Sequence, residues 1–396
     1  MTKHVYLDYA ATTFTHPKVV EAMLPYFTES FGNPSSIYSF SDRNRTAIRK
    51  SREQVARVLD CSPDEIFFTS SGTEADNWAL QGVAWANEKK GKRIITTKIE
   101  HHAVLHTGQF LAERGFDVVY LDVDAEGRIS LEDLKQAMTK ETILVSVMFA
   151  NNEIGTIQPI AEIGELCRDL GVIFHTDAVQ ATAHVPIDVQ KMKIDLLSMS
   201  AHKFYGPKGV GVLYVRKGTK IGSYMHGGGQ EKGRRASTEN VAGIVGLGAA
   251  IELAASRMDE EARRVSALRD RLISGVMERI PHSKLNGASG DGRLPNNANF
   301  SLIGVEGETL LMDLNAAGIS ASTGSACSSG SLDPSHVLMA IGLSHEQAHG
   351  SLRLTLGETT TEDDIRYVLD VLPGIVKHRR EMSPLWEDYL KKIEGR

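Results

Sequence analysis

The chain has 396 residues, 41% hydrophobic and 24% charged, and its 44 basic and 50 acidic side chains leave a net charge of −6. This balance excludes a disordered or low-complexity chain and provides no basic field for nucleic acid or an anionic membrane surface. Length alone suggests about two to three domains, and three cysteines, Cys61, Cys167 and Cys327, are too few and odd in number for a disulfide framework.

In chain order, an extended N-terminal stretch, "HVYLDYAATT", is followed by a helical pattern over 41–59. Short β-branched runs then alternate with helical periods, as in a parallel sheet covered by helices. Strands are predicted over 66–69, 93–97, 118–121, 143–149, 172–177, 195–199 and 210–215, with helices over 74–88, 103–114, 131–138 and 160–170. The continuous apolar run "ILVSVMF" is what a strand buried on both faces requires. A long helical pattern over 241–280 closes this region. Beyond it lie a Gly-rich stretch, the extended "NANFSLIGV", a Ser/Gly/Ala loop, the strand "SLRLTL" and a helix over 362–380. The expected organisation is a large domain over 14–258 and a smaller α+β domain made of 1–13 and 259–396. The longest apolar run, Val241 to Ile251, stops at Glu252, short of the ~20 residues that span a bilayer. Asp8 interrupts any apolar leader near Met1. The expectation is a cytoplasmic protein with reduced thiols.

Two neighbouring predicted strands end in chemistry. "VIFHTDAVQ" puts Asp177 at the carboxyl end of one, and "DLLSMSAHKFYGPKG" puts Lys203 just past the next. Ligands of open α/β sheets bind at those ends. A lysine that forms a Schiff base with pyridoxal phosphate needs a carboxylate near the pyridine nitrogen, and Asp177 fits that need; the plain alternative is a surface lysine and a capping aspartate. "FFTSSGTEADNWAL" leads from a strand through Ser71, Gly72 and Thr73 into a helix. Such a start offers free N–H groups and a positive dipole end to an anion, although it also reads as an ordinary N-cap. Cys327 lies in "STGSACSSG", a stretch too small and polar to pack a core, where a reactive thiol is more at home than an inert one. Cys167 falls on an apolar helix face and reads as core. His101, His102 and His106 lack the His-Glu-x-x-His pattern of a metal site, and no metal is expected.

The motifs "SAHKFYGPKGVG", "HTDAVQ", "SSGTEADN", "EHHAVL", "ANNEIGTIQ", "GNPSS" and "STGSACSSG" occur together, and the chain resembles the NifS/IscS cysteine desulfurases, pyridoxal-phosphate enzymes of the class V aminotransferase group. The resemblance runs from "YLDYAATT" to "SPLW". It implies the fold-type-I architecture, a mostly parallel seven-stranded α/β sheet in the large domain plus a smaller α+β domain. It implies that Lys203 carries pyridoxal 5'-phosphate and moves the substrate's Cα proton. Asp177 then pairs with the ring nitrogen, Gln180 donates to the phenolic oxygen, and His101 stacks on the ring. Gly72, Thr73, Ser200 and His202 match the phosphate site. Thr238 matches a position that reaches a phosphate across a dimer interface, although Ser237 stands where the family carries Gly. Asn33, Asn152 and Arg353 match the pocket for the substrate's α-carboxylate, and Arg353 brings a planar fork suited to it. Cys327 matches the thiol that accepts sulfur from L-cysteine as a persulfide and hands it to an iron–sulfur scaffold or another acceptor. A homodimer is implied as well. Selenocysteine lyases and other class V aminotransferases are the enzymatic alternatives, with Cys327 as the discriminating feature. A non-enzymatic sulfur carrier is disfavoured by the joint presence of Lys203, Asp177, Gln180 and Cys327.

Overall fold

The computed structural model describes residues 4–323 and 334–393; Cys327 lies outside them. Twelve strands are assigned among the described residues: β1 (Val5–Tyr6), β2 (Ile66–Thr69), β3 (Arg93–Thr97), β4 (Asp117–Leu121), β5 (Thr142–Ser146), β6 (Ile173–Asp177), β7 (Leu196–Ser200), β8 (Gly211–Val215), β9 (Ser283–Leu285), β10 (Asn297–Leu302), β11 (Ile319–Ser320) and β12 (Ser351–Thr355). Strands β2 to β8 form one sheet in the order β2-β8-β7-β6-β5-β3-β4. It is parallel except at β8, which runs antiparallel to both β2 and β7. The sheet is apolar on both faces. Val145, Phe174, Leu197 and Val212 join the cluster under one layer of helices, while Leu144, Leu196 and Leu213 join the other. Double-sided burial explains why the predicted strands read as unbroken apolar runs rather than alternating ones.

Strand β5 ends at Ser146, three residues before the predicted end. Even so, Val147 and Phe149 still donate to the carbonyls of His175 and Asp177, so the chain stays tied to β6 as it climbs toward the sheet's carboxyl edge.

A second core is built on β12-β10-β9, all antiparallel. The N-terminal β1 pairs in parallel with β11 and adds Val5 and Leu7 to this core. One helix, Val241–Arg279, serves both cores. Its first half packs Ile244, Leu247 and Ile251 beside Ile48, Val55 and Leu59 of the helix Asp42–Leu59. Its second half packs Val265, Leu268, Leu272 and Val276 into the smaller core. This helix corrects the expectation that no segment is apolar enough to span a bilayer. An 18-residue window reaches a mean hydropathy of 1.4, sufficient by length and composition, yet 44% of that window is buried inside the protein. Glu252, inside this helix, accepts from Gln54 and Arg57 at 2.7 and 2.8 Å.

Candidate active site

A cavity of about 300 Å³ opens where the carboxyl ends of β6 and β7 meet the start of the helix Gly72–Asn87. It is bounded by Gly72, Thr73, His101, Asn152, Asp177, Gln180, Ser200, His202, Lys203 and Arg353. Ten of the residues singled out in the sequence are therefore brought together, from segments that lie far apart along the chain.

The helix start is shaped for close approach. Ser71 caps it by accepting from the Glu74 N–H at 3.1 Å, and the first-turn amides have no partner within the helix. A Cβ on Gly72 would lie 2.6 Å from Val179 Cγ2 and 3.5 Å from Ser200 Cβ, so only glycine lets this turn sit against the ends of the strands. Arg235 clamps Glu74 through two contacts of 2.7 and 3.0 Å.

Lys203 ends the short turn Ala201–Lys203 that follows β7. Its Nζ donates to the carbonyls of Ala10 at 2.5 Å and Ala11 at 2.8 Å, and Gln180 Nε2 donates to the same Ala10 carbonyl at 2.9 Å. Asp177 is the last residue of β6 and is buried; its Oδ1 accepts from the Val179 N–H at 2.9 Å. Burial pushes the Asp177 carboxyl up to about 6, while the Val179 N–H and the Lys203 charge pull the other way. Asp76 also lines the cavity and is 1% exposed. Burial and then the nearby Asp177 hold its carboxyl well above the usual range. Two buried carboxyls sharing one region resist double ionisation, and Asp177 is the one whose charge a nearby cation, Lys203, favours. Beneath them His175 sits between Ser146 Oγ at 2.8 Å and Ser198 Oγ at 3.0 Å. Burial lowers His175 to about 3, so its 3.7 Å approach to Asp76 is a polar contact rather than an ion pair.

His101 caps the helix His102–Ala112 by accepting from the Ala103 N–H at its Nδ1, 3.1 Å away. Burial lowers it to about 4, assisted by Lys203. The ring is therefore neutral near pH 7, with its proton on Nε2. His202, also lowered to about 4 by burial and then by Lys203, lies 3.0 Å from Thr12 Oγ1. Arg353 on β12 donates to the Asn152 carbonyl at 3.1 Å and to Asp8 Oδ1 at 2.9 Å.

Two further residues singled out in the sequence, Asn33 and Thr238, do not line this cavity within the single chain. Asn33 is exposed, and its Oδ1 accepts from the Ser35 N–H. Thr238 is exposed beside a separate cavity of about 180 Å³, with Ser70 and Arg235. Ser237, standing where glycine was expected, has φ +109°, a backbone region that an L side chain occupies only under strain. The sequence reading missed Asp8, Asp76 and the Ala10 and Ala11 carbonyls. Asp76 carried a signal, an acid on a helix face otherwise occupied by Ala75, Trp78 and Ala79.

The family model described as Aminotransferase class-V matches residues 5–368. Over 395 residues, the whole of both chains, the sequence is 67% identical to "Cysteine desulfurase IscS" of Clostridium botulinum. It is 48% identical to "Cysteine desulfurase NifS" of Azotobacter vinelandii, covering 96% of this chain and 95% of that one. Among solved structures, a "NIFS-LIKE PROTEIN" superposes with a TM-score of 0.89 at 40% identity, covering 95% of this chain and all of that one.

Two outcomes are expected of the chain alone. Asp76→Asn removes a carboxyl whose folded pKa is raised by burial above its unfolded value. A folded pKa raised this way gives stability at low pH that is lost as pH rises, so the variant should gain on the wild type progressively above about pH 4. Denaturant unfolding of the cofactor-free protein at pH 5 and pH 8 measures this, and the gain should be larger at pH 8. Ser237→Gly should relieve the strained φ and stabilise by about 1 kcal/mol net of the glycine's extra unfolded-state entropy, read as a higher melting temperature.

Proposed function

We infer that the chain, which belongs to the aminotransferase class-V family, is a NifS/IscS-type cysteine desulfurase that converts L-cysteine to L-alanine and passes the sulfur on through Cys327. The observation that carries this reading is one cavity holding Lys203, a buried Asp177 and a helix start fitted for an anion.

The donor set fits pyridoxal 5'-phosphate. The Gly72–Thr73 amides with Ser200 and His202 would take the phosphate, Asp177 the ring nitrogen, Gln180 the phenolic oxygen, and Lys203 Nζ the covalent link. When bound, this cofactor supplies an electron sink for carbanion chemistry at the substrate's Cα. The protein's own groups do the rest. Arg353 and Asn152 hold the substrate's carboxylate, and Lys203 Nζ moves the Cα proton. His101, which lines the same cavity, would cover one face of the cofactor and offer its Nε2 proton. The Cys327 thiolate attacks the substrate's Sγ; the C–S bond breaks with its electron pair left on carbon, an S–S bond forms on Cys327, and protonation of that carbon yields alanine. An acceptor thiol then takes the persulfide sulfur for iron–sulfur cluster assembly or thiolation.

We further propose a homodimer, with Asn33 and Thr238 completing the partner's cavity. Support comes from their exposure and from the apolar surface formed by Leu24, Phe27, Phe31 and Ile37, which are 56, 60, 68 and 99% exposed. An active species sedimenting as a monomer would overturn this. The division into a 14–258 domain and a 1–13 plus 259–396 domain belongs to the same reading, supported by the β1–β11 pairing.

The functional test uses the cofactor-loaded protein with L-cysteine and a reductant. Wild type should release alanine and sulfide in equal amounts, and without reductant the Cys327 peptide should gain one sulfur in mass. Cys327→Ser should keep the spectral change on adding cysteine but lose alanine release, because a serine hydroxyl is scarcely ionised and cannot form a persulfide. Lys203→Ala should lose the absorbance of lysine-bound cofactor and roughly a thousandfold or more in turnover. Full cysteine turnover by Cys327→Ser would favour a selenocysteine lyase or transaminase instead.

A further inference from the structure

Arg353 is 3% exposed, and a guanidinium so deeply placed needs a compensating charge and a fixed plane. Of its five N–H donors, one on Nη2 goes to Asp8 Oδ1 at 2.9 Å and one on Nη1 to the Asn152 carbonyl at 3.1 Å. Among the described residues, Nε is enclosed with no hydrogen-bond partner. This leaves, among the described residues, one hydrogen on each terminal nitrogen, a two-pronged fork at the edge of the Lys203 cavity, which Arg353 lines.

The backbone around Asp8 is held from several directions. Asp8 bridges Thr355 of β12 in parallel, and Thr355 donates to the Leu7 carbonyl at 2.8 Å. Tyr6 Oη donates to the carbonyls of Asp8 at 3.1 Å and Thr12 at 3.0 Å. Glu153, the other carboxyl acting on Arg353, is already engaged by Ser335 Oγ. Asp8 is thus the carboxylate in direct contact, and it uses a single prong of the guanidinium.

We propose that Asp8 is a positioning residue for recognition of the substrate's α-carboxylate: it fixes the plane of Arg353 so that the remaining fork faces the cavity. This inference rests on the desulfurase reading above. The rival possibility, that Asp8 is a stand-in carboxylate which the substrate must displace, predicts the opposite sign in the same experiment.

The test is Asp8→Asn in the cofactor-loaded protein, titrated with L-alanine and, separately, with cysteamine, which lacks a carboxylate; both are followed by the cofactor's absorbance. Loss of a charge-assisted hydrogen bond should weaken L-alanine binding about tenfold or more and raise KM for L-cysteine alike, with kcat little changed. Cysteamine binding should not move, whereas a general structural defect would weaken both ligands. In an Arg353→Lys background, Asp8→Asn should have almost no further effect on L-alanine. Should Asp8→Asn fail to fold, Asp8→Ser at this partly exposed position gives the same readout. Unchanged or tighter L-alanine binding, or equal losses for both ligands, overturns the proposal. If wild type releases no alanine from cysteine, the desulfurase reading fails; if it does and Asp8→Asn binds L-alanine normally, only the Asp8 inference fails.

Discussion

The ammonium of Lys203 rests on the carbonyls of Ala10 and Ala11, 193 and 192 residues away in the chain, and much of the site's geometry follows from this contact. A cation at the end of a buried strand needs oxygen around it. The chain meets that need by bringing its N-terminal segment back over the carboxyl edge of the sheet. The same short segment sends Asp8 to Arg353, Thr12 to His202 and the Ala10 carbonyl to Gln180. It is held in place by the β1–β11 pairing, so the smaller core anchors the strap that organises the lysine.

The second constraint is the shortage of water for acids. Asp177, Asp76 and Glu100 are all buried near one another, and burial raises each of them. Glu100 accepts from Thr97 and from the Met148 N–H and is raised to about 8. In such surroundings a single charge is tolerable where a cation faces it, and Asp177 is the carboxyl with Lys203 nearby. His101, His175 and His202 are lowered to between about 3 and 4, so the histidines around the cavity are neutral hydrogen-bonding groups at pH 7 rather than competing cations. The charge of the site is thereby concentrated on Lys203, Asp177 and the Arg353–Asp8 pair.

Strong local signals were legible in the residues. The runs around 143–149 and 210–215 are apolar enough that a doubly buried strand was the natural reading, and β5 and β8 lie there. Lys203 could be placed just past a strand end because the turn residues Gly206, Pro207 and Gly209 punctuate the chain beyond it. The antiparallel direction of β8 was not legible, since an apolar run reads the same in either direction. The Val241–Arg279 helix was legible along its length, but its division between two cores depended on segments distant in the chain.

The sequence by itself determined the elements, the helix start at Gly72 and the residue types of the chemistry, because backbone propensity, capping and periodicity act within a few residues. The tertiary structure alone decided that Asp8 meets Arg353, that burial raises the Asp76 carboxyl beside Asp177, and that Asn33 and Thr238 stay outside the cavity of their own chain. Those facts depend on distances between segments and on the dielectric cost of burial, and neither exists until the sheet, the strap and the two cores have come together.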